Sequence, residues 1–133
     1  MRANRTAPPE GRANGFTLIE LLTVMTIIAI LLTIAVPRYF NSIERSKEVT
    51  LRQDLNVMRD AIDKFQGDTG ALPQTLDELV SKKYLRSVPV DPMTESAATW
   101  QMVAPQDPKM TGVQDVKSGA PGNAQDGTSF QDW

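Results

Sequence analysis

The first pattern in the chain is an unbroken apolar block. From Phe16 to Val36 every side chain is apolar or a threonine, with the single exception of Glu20. As a helix, these residues extend about 31 Å, close to the ~30 Å thickness of the hydrocarbon core of a bilayer. The pattern therefore predicts a transmembrane helix over residues 16–36, with one carboxylate near its start.

A secretory signal and a plain membrane anchor each explain only part of this block. A secretory signal has an apolar run of about 7–15 residues followed by a small-residue cleavage site, and the sequence has neither feature. An anchor fits better, and Arg2, Arg5 and Arg12 before the span predict a cytoplasmic N-terminus. Glu20 needs a separate explanation, because a carboxylate at the centre of a span costs up to about 2.5–3.5 kcal/mol and usually has a partner. So near the helix start, the carboxylate either extends to the membrane interface or meets a cation supplied in another way.

A second apolar pattern follows at helical spacing. Its members recur at intervals of four and three residues: Leu51, Leu55, Met58, Ile62 and Phe65. This stripe predicts that an amphipathic helix continues the span over residues 37–67 and is buried beneath a local head, in preference to a coiled coil. Pro37 has no amide hydrogen and is expected to kink the helix without ending it. Opposite charges four residues apart are expected to pair on the exposed face: Glu48 with Arg52, and Arg59 with Asp63.

Residues 68–133 carry shorter patterns. Thr75 and Glu78 have the spacing of a capping box that opens a short helix. Residues 98–103 and 112–118 are alternating or β-branched runs, which predict two antiparallel strands. The chain is therefore predicted to be an α+β protein, with a long N-terminal helix and a small head that contains one short helix and a small antiparallel sheet.

The tail of the head is rich in Gly, Asn and Asp but ends in two aromatic residues. Phe130 and Trp133 are expected to pack back onto the head. The predicted organisation has four parts: a basic leader (1–15), a transmembrane helix (16–36), its amphipathic continuation (37–67) and a head (68–133).

Composition removes many kinds of active site. The chain contains no Cys and no His, so it can hold no disulfide, no Ser-His-Asp triad and no His/Cys zinc site. Its carboxylates suggest no spaced acid and base pair in an apolar cleft, and no enzyme is expected. The formal net charge of −2 gives no general attraction to nucleic acid. The first fifteen residues contain three arginines and one glutamate, and this excess of basic residues is typical of a targeting leader.

Proteolysis would create the partner that Glu20 lacks. A cut between Gly15 and Phe16 would produce a new α-ammonium group with a pKa near 7.7–8.0. At the same membrane depth, that cation could pair with Glu20 of a neighbouring copy. Cleavage would then be the switch for assembly.

The run Gly15-Phe16-Thr17-Leu18-Ile19-Glu20 resembles the class III signal of type IV pilins and type II secretion pseudopilins. The resemblance implies that a prepilin peptidase cuts after Gly15 and N-methylates Phe16. It also implies that Glu20 is the carboxylate used to pack subunits into a filament.

Within the head, the resemblance is greatest to the major (G-class) pseudopilin of type II secretion. It is carried by Leu72-Pro73, by Pro89-x-Asp91-Pro92 and by the run from Asp115 to Gly119. The family often has a paired-aspartate calcium loop near the C-terminus, and this chain has no Asp-Asp pair. We expect that no cofactor is required, with Asp115 and Asp126 as the candidate ligands if calcium binds.

The resemblance implies a structural subunit of a pseudopilus that drives protein export. Its expected partners are further copies of itself, the prepilin peptidase, minor pseudopilins and an inner-membrane assembly platform, without nucleic acid. The expected location is the bacterial inner membrane, with a periplasmic C-terminus, and then a periplasmic filament. The alternative is a type IV pilin of a surface filament for adhesion, motility or DNA uptake, although Lys82, Lys83 and Arg86 form only a small basic cluster.

Overall fold

A computed structural model of the protein describes Asn4 and residues 15–133. Helix α1 (Leu18–Thr69) is followed by helix α2 (Leu76–Ser81), strands β1 (Gln101–Val103) and β2 (Asp115–Lys117), and a 3-10 turn (Phe130–Asp132). The predicted α+β class is confirmed. Of the predicted leader, residues 1–3 and 5–14, with Arg2, Arg5 and Arg12, lie outside the described residues.

The chain divides into two compact units, the first ending at Tyr39 and the second running from Phe40 to Trp133. In the first unit the large apolar side chains are exposed; those of Leu22 and Leu31 are 58% and 59% accessible. Helix α1 is the one element of the described chain that is long and apolar enough to cross a membrane, with a mean hydropathy of 2.6 in its most apolar window.

Both ends of α1 are set by local chemistry. The helix begins at Leu18, two residues after the predicted start, because the hydroxyl of Thr17 caps it by accepting a hydrogen bond from the amide of Glu20. It ends at Thr69, two residues beyond Gly67, where the sequence predicted the end. Gly70 has a φ of +74°, and its amide donates to the carbonyl of Gln66 at 2.8 Å. This left-handed residue, accessible to glycine at little cost, terminates the helix.

The predicted stripe of α1 is the foundation of the core in the second unit. Leu51, Leu55, Met58, Ile62 and Phe65 are all buried, together with Ala61, which the pattern did not include. Leu79 of α2, Val116 of β2 and Trp100 belong to the same cluster. The prediction that the stripe is buried beneath a local head is confirmed.

The head contains the predicted short helix and two strands. Thr75 caps α2, since its hydroxyl accepts the amide of Glu78 at 3.2 Å. The Glu78 carboxylate accepts the amide of Gln74 at 2.7 Å instead of that of Thr75, so the reciprocal bond of the box is shifted by one residue. Strands β1 and β2 pair antiparallel with Met102 opposite Val116, and each is shorter than its predicted run.

The tail folds back as predicted. Phe130 is buried, and its ring contacts that of Trp133 edge-on, with centroids 5.2 Å apart. The charge pairs predicted along α1 are wrong, because Glu48, Arg52 and Arg59 bond to residues of the head instead. Arg52 pairs with Asp126 and Arg59 with Asp115, while Glu48 accepts the amide of Gln125 at 2.8 Å.

Candidate functional site

The N-terminal end of α1 brings together the residues predicted for processing and assembly. Gly15 and Phe16 lie immediately before the cap residue Thr17, and the Phe16 side chain is 89% exposed. Among the described residues, no heavy atom beyond the neighbours in the chain lies within 4 Å of a Cβ built on Gly15. The Gly15–Phe16 peptide bond therefore lies outside the helix, between two residues that the described part of the chain leaves exposed.

Glu20 occupies a reciprocal capping box. Its amide donates to the Thr17 hydroxyl at 3.2 Å, and its carboxylate Oε2 accepts the Thr17 amide at 3.3 Å. Two of the amides that the start of a helix leaves unbonded are thereby satisfied. Within residues 15–133 the carboxylate forms no salt bridge, so its partners are neutral donors of its own chain.

Sequence reasoning missed this role of Glu20, although its signal was present. A threonine followed three residues later by a glutamate, before an apolar run, is the capping-box pattern. The same pattern was recognised at Thr75 and Glu78. The structure shows that this carboxylate lies in the first turn of α1 and stabilises the start of the helix.

Three of the four threonines of the span donate their hydroxyl hydrogens to the helix itself. Thr23 donates to the carbonyl of Ile19 and Thr26 to that of Leu22, both at 2.7 Å. Thr33 donates to the carbonyl of Ile30 at 2.6 Å. These bonds make the hydroxyl donors compatible with a hydrocarbon environment that offers no water.

Pro37 lies inside α1, and the helix continues through it as predicted. Since proline cannot donate, the carbonyl of Thr33 does not receive the usual bond from position 37. The kink expected at this residue stays a prediction.

The two candidate calcium ligands lie against different arginines. Asp115 Oδ1 accepts from Nε of Arg59 at 2.8 Å and from the amide of Val116 at 2.7 Å. Asp126 accepts from the amide and hydroxyl of Thr128 at 3.0 and 2.6 Å, and its Oδ2 lies 3.5 Å from Nη2 of Arg52. The hydrogen bonds from Thr128, followed by the charge of Arg52, hold the pKa of Asp126 below its usual value.

Neither Asp115 nor Asp126 belongs to a larger cluster of acidic side chains in the described part of the chain. Calcium takes six to eight oxygen ligands, and the described residues contain no group of three or more acidic, His or Cys side chains that could hold a metal. A cation beside Asp115 or Asp126 would also be repelled by the adjacent guanidinium. Calcium binding at these two residues stays a prediction, which titration can decide.

Asp91 and Asp54 are another pair of carboxylates, in the second unit, and the charge of one acts on the other. Asp91 is fully buried, and its carboxylate accepts the Ser118 hydroxyl at 2.5 Å and the Met93 amide at 2.8 Å. Partial burial, and secondarily the charge of Asp91, raise the pKa of Asp54 on α1. The Asp91 bonds join the Pro89–Pro92 turn to the end of β2, a structural role that sequence reasoning did not foresee.

Comparisons with known proteins relate the chain to a described family. A family model described as the prokaryotic N-terminal methylation motif matches residues 11–36. The type II secretion system core protein G of Pseudomonas aeruginosa is 32% identical over 95 residues, covering 59% of this chain and 67% of that protein. The chain belongs to the type II secretion core protein G family, the major pseudopilins.

Other relatives match the chain over stretches of different length. Core protein G of Aeromonas hydrophila is 28% identical over 110 residues, covering 71% of this pseudopilin and 75% of that relative. The type IV major fimbrial protein FimA of Dichelobacter nodosus is 49% identical, but over 49 residues that cover only 37% of this chain and 31% of that protein. No solved structure gives a significant match.

Membership defines the general role of the chain. A pseudopilin is a structural and non-enzymatic protein that is processed by prepilin peptidase, assembles into filaments and is anchored in the inner membrane through its N-terminal apolar helix. The expectation that the chain is not an enzyme agrees with this family. The site at Gly15, Phe16 and Glu20 lies within the segment that the methylation-motif model matches.

Proposed function

We propose that this pseudopilin is a structural subunit of a pseudopilus, which assembles from the inner membrane into a helical filament and drives protein export by type II secretion. The observation that carries the proposal is the order of features at the start of α1. A Gly15–Phe16 bond between two exposed residues directly precedes a capped helix whose first turn contains Glu20, and an exposed apolar surface follows. The similarity to core protein G supports the same function.

Cleavage would create a new hydrogen-bond donor for the carboxylate of Glu20. Hydrolysis of the Gly15–Phe16 bond leaves a carboxylate on Gly15 and an ammonium group on Phe16, which is then the methylated N-terminus. In the uncut chain the Glu20 carboxylate accepts one neutral amide. A bond from an ammonium group to a carboxylate is roughly twice as strong as a neutral one. The new N-terminus of a neighbouring subunit would therefore displace the weaker internal contact.

The apolar surface of the first unit supplies the packing for the filament. Its side chains are exposed within the described chain, so lipid or other copies of the span must cover them. Copies related by a screw operator would form an open helical polymer. The basic leader favours a cytoplasmic N-terminus and a periplasmic second unit. Minor pseudopilins and an inner-membrane assembly platform complete the proposed set of partners.

The first experiment is an intact-mass measurement on protein extracted from its native membranes. Loss of residues 1–15 together with one added methyl group is the expected result. An uncut chain would contradict the proposal and return the protein to a plain anchor. Loss of the whole apolar segment would identify a secretory signal and exclude the filament.

A second experiment separates the two roles of Glu20. Glu20→Ala and Glu20→Gln should both insert into membranes but give no filaments, because both remove the charge. Glu20→Gln retains an oxygen that can cap the helix, so normal filaments from this variant would show that capping alone is needed. Thr26→Ala, which removes another polar group of the same helix, is the matched control and should assemble. Filament yield by shearing and electron microscopy is the measurement.

A surface type IV pilin is the second candidate function, favoured by the 49% identity to the fimbrial protein. The core protein G relatives match over longer stretches, between 57% and 75% of their length for three of them. Secretion of a type II substrate in a strain that lacks this gene distinguishes the two. Loss of secretion with surface filaments intact supports the pseudopilus, and the reverse result supports the pilin.

A further inference from the structure

Arg52 and Arg59 of α1 are seven residues apart in the sequence, and both side chains contact the tail of the head. Seven residues are close to two helical turns, so Arg52 and Arg59 lie on one side of the helix about 10 Å apart along its axis. Both form ion pairs with residues far away in the sequence, Arg52 with Asp126 and Arg59 with Asp115. Within the described chain, neither forms a salt bridge with a nearby carboxylate of its own helix.

Arg59 joins three segments of the chain. Its Nε donates to Asp115 Oδ1 at 2.8 Å, and its Nη2 donates to the carbonyl of Val116 at 3.1 Å and to the main-chain oxygen of Trp133 at 2.7 Å. The side chains of Arg59 and Asp115 are only 32% and 38% exposed. One guanidinium therefore connects α1, β2 and Trp133 in a partly desolvated site, where charged hydrogen bonds are stronger than at the surface.

Arg52 holds the same tail at a second point. Its guanidinium carbon lies 4.0 Å from the centroid of the Trp133 ring, a cation–π contact. The Trp133 indole donates to the Thr128 hydroxyl at 2.7 Å, and that hydroxyl donates to Asp126 at 2.6 Å. The Asp126 turn and the Trp133 ring are thereby linked to each other and to Arg52.

We propose that Arg52 and Arg59 fasten the segment from residue 118 to residue 133 onto α1 in place of a bound cation. The guanidinium groups supply the positive charge at Asp115 and Asp126 that a calcium ion would otherwise bring, and they add fixed hydrogen-bond directions. The head of this chain is accordingly stable without calcium, and its tail depends on arginine.

The geometry also explains why arginine suits these positions. A guanidinium presents several donors in one plane, and Arg59 uses two of its nitrogens on three acceptors. A lysine offers one point charge and cannot reach the side chain of Asp115 and both main-chain oxygens with the same directions. Arg59→Lys should therefore fail to replace Arg59, although it preserves the charge.

The test is thermal unfolding of the full-length processed protein in detergent micelles, followed by near-UV circular dichroism. Wild-type protein should have the same Tm in millimolar calcium and in excess chelator. Arg59→Gln and Arg59→Lys should each lower the Tm by roughly 5 °C or more, in both solutions. Arg45→Gln is the matched control, because Arg45 is an exposed arginine on the same helix, and it should leave the Tm unchanged.

Hydrogen exchange keeps the proposal testable if the Arg59 variants unfold. Arg52→Gln removes the outer contact alone, and it should accelerate exchange of amides between residues 118 and 133 at least tenfold while α2 keeps its protection. A rise of the wild-type Tm with calcium, or its fall with chelator, would overturn the proposal. The proposal would also be overturned if Arg59→Gln had the same Tm as the control Arg45→Gln. It would be overturned as well if Arg52→Gln left the hydrogen-exchange rates of residues 118 to 133 unchanged.

Discussion

The two units of this pseudopilin use apolar side chains in opposite ways. Leu31 in the first unit is 59% exposed, whereas Leu55, on the same helix in the second unit, is 1% exposed. The hydrophobic effect favours burial of both. Leu55 is covered by the chain's own head, while Leu31 must be covered by lipid or by other subunits. The second unit therefore buries its apolar side chains by internal contacts, whereas those of the first unit are covered only by its surroundings.

The hydrogen bonds of polar side chains also differ between the two units. In the first unit, threonine hydroxyls donate to carbonyls of the same helix within four residues. In the second, polar side chains bond across the fold, as Ser118 does to Asp91 and Arg59 to Asp115. Bonds that stay within one helix survive transfer to a membrane, whereas bonds across a fold require a tertiary structure.

The largest expected effect concerns the first unit. Gly15→Val should abolish cleavage and filament formation, because the peptidase must approach this residue closely. The side chain would meet no packed atom among the described residues, so misfolding would not explain the loss. Intact mass and filament yield are the measurements. Processed Gly15→Val protein would refute the role of Gly15.

The next effect tests the contrast between the leucines directly. Leu55→Ala should destabilise the second unit by about 2–5 kcal/mol, because it leaves a cavity in the core. Leu31→Ala should leave the unfolding of that unit unchanged. Thermal unfolding of both variants in micelles checks the difference, and equal shifts would contradict the division into two units.

A pair of glycines gives smaller effects of opposite sign. Gly112 has a φ of +123°, and a Cβ there would lie 2.6 Å from the carbonyl oxygen of Pro73. Gly112→Ala should therefore cost about 1–3 kcal/mol. Gly67 lies inside α1, and apart from the adjoining helix backbone and its chain neighbours no heavy atom of the described chain lies within 4 Å of a Cβ there. Gly67→Ala should stabilise by about 0.5–1 kcal/mol. Chemical denaturation measures both, and the same sign for the two would be inconsistent with this geometry.

The smallest effect depends on pH. Because burial and Asp91 raise the pKa of Asp54 above its ordinary value of 3.8, the ionised carboxylate destabilises the folded head at neutral pH. That destabilisation is relieved as the pH falls through the folded pKa towards the unfolded one. Asp54→Asn should raise the Tm by roughly 1–4 °C at pH 7.

The control for Asp54 is Asp60→Asn, which changes an exposed aspartate of the same helix. It should not alter the Tm. The advantage of Asp54→Asn over wild type should disappear once the pH is below the ordinary aspartate pKa. A constant difference at all pH values would mean that the charge of Asp54 is not the cause.

Features that depend on neighbours along the chain could be predicted from the sequence alone. The apolar block of the span, the buried stripe from Leu51 to Phe65 and the cap at Thr75 follow from helical periodicity and side-chain type, and the structure confirms the helices and the buried stripe. The run from Gly15 to Glu20 pointed to processing for the same reason, since a peptidase reads a short linear segment.

The ion-pair partners of the charged residues, in contrast, are known only from the folded structure. Helical spacing paired Arg59 with Asp63, but the fold brings Asp115, 56 positions away, within 2.8 Å. Spacing along a helix allows an exposed ion pair worth a few tenths of a kcal/mol, and a partly buried site with three acceptors outcompetes it. Asp91 meets Ser118 for the same reason. Contacts between distant segments depend on how the core packs, and no local pattern in the sequence encodes that.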